Sequence, residues 1–464
     1  MGSPLPGASR RFQEAVPRGR RGRMPAVMHR AALYGTLLCC VVLCGALPSC
    51  RSTVDSIGYD RLAQGGAGGG ELPFGGSFEA GAGGVPTPHL LPLTGPSSYP
   101  NLVKDLIGKS DEEIRTKIDM LFNRLFYGNS STESVYVLVG EDQAYIRDVL
   151  HNDVRTEGMA WGMMICVQLD RREEFDRLYR YAKTLQVTTG PSRGYFRSFC
   201  DDGEGGKAQC LDPFGLQEIL MSLIFAHGRW GSDGAIDYEA DALALLELIR
   251  NKEAANGGVV DGVTNTFDAA TFLPYDLPNQ SVGLTGRPSI TMPAYYELWH
   301  QATADPFYSR AAQSGRKYIE LAADPGTGLL PVRAAFDGTP VMPGDTFQSE
   351  SYRVHLNMAL DRVWSGYMGD NVDLSNRILA FFAAEGLDVY CSSYSLSGEC
   401  LDTARDSGLM AANAMLALVS TARNRPAFVK AMWDAVLPTG SGRYFAGVLN
   451  LIGLLVLSGQ YRVY

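Results

Sequence analysis

Histidine is scarce in this chain. Six in 464 residues, scattered along the sequence, form no cluster, and no Cys or His spacing resembles a zinc site. Neither a metal centre nor a cofactor is expected. Excess positive charge is also missing. The formal charge is −9, and residues 1–49 carry seven Arg against the single acid Glu14, so the remainder stands at −9 − 6 = −15. Phosphate binding needs a basic face, which excludes nucleic acid as a partner. No motif recurs at a fixed period, as an open α-solenoid would require. Late in the chain, the apolar stretch 444–457 is too short and too Gly-broken to span a bilayer.

What is present begins with an address. Arg30 precedes an apolar run from Ala31 to Leu47 that ends in Leu47-Pro48-Ser49-Cys50. A short apolar run behind a positive residue reads as a secretory signal. Leu-Pro-Ser-Cys resembles a bacterial lipobox, in which the Cys is lipidated and becomes the mature N-terminus. The expectation is a signal region over 1–49, an acylated Cys50 and a membrane-anchored protein of the bacterial cell envelope, with Met24 or Met28 as alternative starts. From 51 to about 100 the chain is rich in Gly, Pro and Ser, a composition that cannot build a core. Residues 50–104 therefore read as a tether and 105–464 as the folded domain. An oxidising compartment permits disulfides, and Cys200–Cys210 and Cys391–Cys400 each bracket a short loop. Cys166 sits in an apolar segment and reads as a buried thiol.

After the tether the pattern is helical throughout. Twelve segments are expected, at about 111–126, 157–170, 172–186, 215–229, 236–251, 291–303, 306–322, 350–364, 371–385, 407–421, 425–435 and 444–457. They alternate in character. In 172–186, Phe175, Leu178, Ala182 and Leu185 make one apolar face among charges, whereas 444–457 is apolar on every side and must be buried. Helices alternately half-exposed and buried close into two concentric rings of six, an all-α (α/α)6 barrel. Long loops then deliver the N-termini of the inner helices to one rim, which is where a cleft belongs.

That rim carries the candidate chemistry. Glu157 opens an inner helix behind Asp153 and Thr156 as candidate caps, and burial raises a carboxyl toward a group that holds its proton. Glu350 opens another, with Arg353 three residues on and placed to hydrogen-bond it and keep it ionised. A protonated carboxyl and an ionised one are what glycosidic hydrolysis needs: the first for the leaving oxygen, the second for water or the anomeric carbon. Tyr195, Phe214, Tyr295 and Tyr444 offer aromatic faces for stacking on sugar rings.

At these residues the chain resembles glycoside hydrolase family 8, inverting enzymes on an (α/α)6 barrel, and within it the reducing-end xylose-releasing exo-oligoxylanases. The resemblance spans roughly 105–464. It rests on Asp153-Val154-Arg155-Thr156-Glu157-Gly158-Met159, Gly162-Met163-Met164, Gly194-Tyr195-Phe196, Arg229-Trp230-Gly231, Ser351-Tyr352-Arg353-Val354 and Asn413-Ala414-Met415. It implies that Glu157 is the general acid and that an oligosaccharide or polysaccharide is the substrate. The departures are local. The family's general base is an Asp, and Glu350 stands there. Its sugar-binding Asp-Gly pair reads Phe214-Gly215, with Asp212 nearby as a substitute. The Pro-Ser-Tyr whose Tyr holds the catalytic water reads Pro288-Ser289-Ile290. The Leu-His-Pro that blocks the cleft in the xylose-releasing members reads Ala404-Arg405-Asp406. Two readings follow: an inverting hydrolase of β-linked glycans, and a carbohydrate-binding lipoprotein that kept the barrel and lost turnover.

Overall fold

The computed structural model describes residues 88–96, 98–198 and 211–464. The signal region, Cys50 and the Cys200–Cys210 pair lie outside them. Twelve helices fall where the periodicity put them, and one more, α1 (Leu102–Ile107), precedes them. The inner set is α3 (Thr156–Gln168), α5 (Pro213–Trp230), α7 (Pro293–Thr303), α9 (Val354–Leu360), α11 (Ser407–Met415) and α13 (Phe445–Leu457). Their all-round apolar sequences are the reason: twelve of the thirteen residues of α3, and twelve of the thirteen of α13, are buried. The outer set is α2 (Asp111–Tyr127), α4 (Arg172–Ala182), α6 (Tyr238–Asn256), α8 (Pro306–Ala322), α10 (Gly369–Glu385) and α12 (Arg425–Asp434). In α4 the Phe175, Leu178 and Ala182 face is buried and faces the ring, as the i, i+3, i+7 spacing demands.

Among the inner helices α3 packs on α5, α7 on α9, α9 on α11 and α11 on α13, and α13 returns to α3. The α5–α7 seam is tied by buried polar groups: the Tyr295 hydroxyl donates to Glu218 at 2.7 Å and the Tyr296 hydroxyl to Gln217 at 2.8 Å. Several ends are capped by the residues the sequence supplies there. Ser110 and Glu113 form a reciprocal capping box on α2, and Asp212 and Asp406 cap α5 and α11.

Three features differ from the sequence reading. Helix α9 starts at Val354, so Glu350 lies in the preceding turn and not in a helix. Two small antiparallel sheets were not anticipated: β1 (Tyr136–Val139), β2 (Gln143–Asp148) and β3 (Asp153–Val154), then β4 (Thr346–Phe347), β5 (Ser393–Ser395) and β6 (Cys400–Asp402). These strands are too short for a periodic signal, yet β3 leads directly into Glu157 and β4 into Glu350. The Cys391–Cys400 disulfide ties the β5–β6 hairpin. Finally, the packed domain begins before residue 105. Leu90 is buried, the Leu91 N–H donates to the Ala302 carbonyl at 2.8 Å, and Thr94 bonds Gln301.

Candidate active site

At one end of the barrel a cavity of about 510 Å³ is lined by Glu157, Glu350, Arg155, Arg405, Tyr444 and Asp148 among others. Loops from both sheets and the starts of α3, α11 and α13 make its walls. Glu157 sits in the first turn of α3, its side chain 17% exposed. The cap differs from expectation. The Thr156 hydroxyl donates to the Arg197 carbonyl at 2.7 Å, and Asp153 pairs with Arg155, so neither caps α3. Asp212 lies beside that end: its carboxylate accepts from Gly215 N–H at 2.9 Å as the cap of α5 and faces the backbone N–H of Glu157. It joins the ends of α3 and α5.

The Glu157 carboxylate has two side-chain partners. One oxygen pairs with Arg353, and the other accepts from the Tyr444 hydroxyl at 3.4 Å. Tyr444 can lie against α3 only because residue 158 is glycine; a Cβ there would stand 2.7 Å from the Tyr444 hydroxyl oxygen. This gives the Glu-Gly pair a steric reason. Burial raises the proton affinity of Glu157. Arg353 opposes that, Asp212 and Glu350 add to it, and the net direction is upward.

Glu350 goes the other way. Its side chain is 45% exposed and its Oε2 pairs with Arg287 at 2.5 Å. Burial pulls its proton affinity up, but the charges of Arg287, Arg353, Arg333 and Arg155 prevail and hold it below the ordinary carboxyl value. The expected Arg353–Glu350 side-chain pair is not formed; Arg353 Nε reaches only the Glu350 backbone carbonyl, at 3.3 Å. Its guanidinium lies 4.4 Å from the Phe214 ring centroid instead, stacked beneath Glu157.

The other expected sugar contacts divide. Arg405 is exposed on the cavity wall. Phe214 is 4% exposed and supports Arg353 from below, so it is not a stacking face. Tyr195 and Tyr295 are each 1% exposed, with hydroxyls spent on the Thr264 carbonyl and on Glu218; both belong to the core. Arg353 is paired with Glu157, and Asp212 is spent as the cap of α5. Ile290 is buried, with no hydroxyl to offer a water.

Sequence reasoning missed Asp148, His151 and Arg155 on the wall, and Asp276 and Arg287 behind Glu350. No spacing signal joins residues so far apart. The ligand-type atoms of Asp148, His151 and Asp153 lie within 4.8 Å of one another, a grouping the scattered histidines did not suggest. Arg155 Nε bridges both carboxylates at 3.0 and 3.2 Å and supplies the positive charge there.

A ring of six helical hairpins with two carboxyls of opposed proton affinity at one rim defines a glycosidase of the (α/α)6 class. The comparisons agree. Residues 143–459 match the family model for glycosyl hydrolases family 8. A reducing-end xylose-releasing exo-oligoxylanase of Paenibacillus barcinonensis is 36% identical over 380 residues, 79% of this chain and 97% of that protein. One from Halalkalibacterium halodurans is 33% identical, covering 79% of this chain and 94% of that protein. A family 8 crystal structure from Teredinibacter turnerae, a xylobiose complex, superposes with a TM-score of 0.74 at 33% identity, over 79% of this chain and 98% of that one. The chain belongs to glycoside hydrolase family 8. It is an inverting glycoside hydrolase of β-linked glycans.

Proposed function

We propose that the protein hydrolyses xylan-type β-glycans, with Glu157 as general acid and Glu350 as general base. The carrying observation is that one cavity presents both carboxyls with proton affinities displaced in opposite directions. Glu157 protonates the glycosidic oxygen as the bond from the anomeric carbon breaks. Water attacks that carbon from the opposite face and gives its proton to Glu350, and the product carries inverted configuration. Glu350 Oε2 is held by Arg287, and Oε1 makes no hydrogen bond to the described residues, which leaves it to take the proton.

A binding protein without turnover would need Glu350 withdrawn from the cleft into Arg353. Arg353 is committed to Glu157 and Glu350 lines the cavity, which supports the enzyme. The xylan-type substrate is supported by the names of the relatives. Ala404 and Arg405 line the cavity and, by the motif resemblance, replace the blocking Leu-His of the exo-acting members, which supports cleavage not confined to release of one terminal xylose.

The test is Glu157→Gln and Glu350→Gln on a panel of xylo-, cello-, chito- and mixed-linkage oligosaccharides, with anomers followed by NMR. Each should lose at least ~10³-fold in kcat while binding persists, since shape is kept and only proton transfer is removed. A Glu350→Gln enzyme of unchanged rate removes Glu350 as base.

An acylated Cys50 holding the enzyme on the cell envelope is also proposed, supported by the Arg30 to Cys50 sequence. Mass spectrometry of the mature N-terminus reads it, and an unacylated terminus elsewhere rejects it.

A further inference from the structure

Glu350 is one methylene longer than the family's Asp, with one more torsion to restrain. It also lies in a turn, not on a helix. Something must fix it, and the fold places a buried charge chain behind it. Arg287 Nε donates to Asp276 Oδ1 at 2.6 Å while Nη1 donates to Glu350 Oε2 at 2.5 Å. The other Asp276 oxygen takes Arg333 Nε at 2.6 Å. Side-chain exposure is 6% for Asp276 and 14% for Arg287, against 45% for Glu350.

The backbone is fixed as well. Gly286 and Ala334 exchange both N–H···O bonds, at 2.9 and 3.1 Å, so the loop bearing Arg287 is stitched to the loop bearing Arg333. Asp276 N–H donates to Thr285 at 2.7 Å, closing the loop on itself.

We propose that Arg287, locked by Asp276, is the positioning residue for Glu350: it grips one carboxylate oxygen and leaves the other aimed at the catalytic water. The proposal rests on Glu350 being the base. The groups that face Glu350 are Arg287, Arg353, Arg333 and Arg155 on the positive side. Glu157 and, through Arg287, Asp276 and Asp212 are on the negative side. Arg353 is spent on Glu157 and Arg333 on Asp276, so Arg287 is the cation in direct contact.

The experiment compares wild type, Arg287→Met and Arg287→Lys by the pH dependence of kcat/KM and of kcat on xylo-oligosaccharides. Losing an opposite charge at contact distance raises a carboxyl pKa by about 1–3 units, so the acid limb of Arg287→Met should move up by about that much. Its kcat should fall ~10–100-fold from misplacement, with KM changed little. Arg287→Lys keeps a charge without the rigid fork, so its acid limb should stay near wild type while kcat falls. A folded Arg287→Met with wild-type acid limb and kcat overturns the proposal. Should that variant lose its native circular dichroism, Arg287→Lys decides alone: an undiminished kcat overturns the proposal, and a reduced one with unchanged KM supports it. Failure of the base assignment reads differently, as hydrolysis that survives in Glu350→Gln.

Discussion

Arg353 pairs with Glu157, 196 residues away in the chain, and not with the side chain of Glu350 three residues before it. The pair sits over the Phe214 ring, and Arg353 is only 4% exposed. The buried guanidinium therefore lowers the proton affinity that burial raises in Glu157.

Removing it as Arg353→Met leaves burial and the negative neighbours Asp212 and Glu350, which favour the protonated form of Glu157, opposed by the weaker effect of Arg155. The alkaline limb of the pH–rate profile, where the acid loses its proton, should move up by about 1 unit or more. The stability effect has a sign too. A carboxyl whose folded pKa lies above the unfolded value contributes stability at low pH that is lost as pH rises through it, so the variant should lose more stability at pH 8 than at pH 5. Rate profiles and thermal melts at both pH values check this; an alkaline limb that stays put or moves down removes Arg353 from control of Glu157.

Arg405 is exposed on the cavity wall and makes no ion pair among the described residues. Arg405→Ala should therefore leave the melting temperature within about 1–2 °C, as for most surface substitutions. As a contact made equally in ground and transition states, its loss should raise KM about 3–10-fold with kcat little changed. A product profile and KM identical to wild type would show that sugars do not touch this side chain.

Glu218 lies in the barrel core, 1% exposed, and burial pushes its carboxyl up to about 7 against the Tyr295 hydrogen bond and the Arg353 charge. The folded protein then binds a proton that the unfolded chain releases, so stability should fall as pH rises from about 4.5 to 7. The full excursion is on the order of 3 kcal/mol. His355 is buried and neutral, held down to about 3, and gives the opposite slope below 6.5. Glu218→Gln removes the first term and keeps the second. Its melting temperature should rise relative to wild type between pH 5 and 7.5, and parallel curves would mean Glu218 is not protonated in the fold.

Much of this was legible from residue order. A helix buried on all sides needs no tertiary information to be placed inside, and alternation with amphipathic partners is enough to imply two rings. Glu157 was legible because it stands at the mouth of such a helix beside Gly158, although the reason for the glycine, the Tyr444 hydroxyl, comes from the far end of the chain. Glu350 was legible as a carboxyl on the rim but not as a turn residue, since the three residues before Val354 carry helix-compatible side chains.

The aromatics show where residue order fails. Tyr195 and Tyr295 are on or beside rim loops, yet a tyrosine packs as readily inward as outward, and the buried acceptors Thr264 and Glu218 took their hydroxyls. Sequence by itself determined the class of fold, the inner helices and the two carboxyls, because these follow from local periodicity and helix ends. Which arginine serves which carboxylate was decided only by the tertiary structure. Arg353 and Arg287 reach their partners across 196 and 63 residues, and long flexible cations choose among acids by burial and distance after the ring has closed.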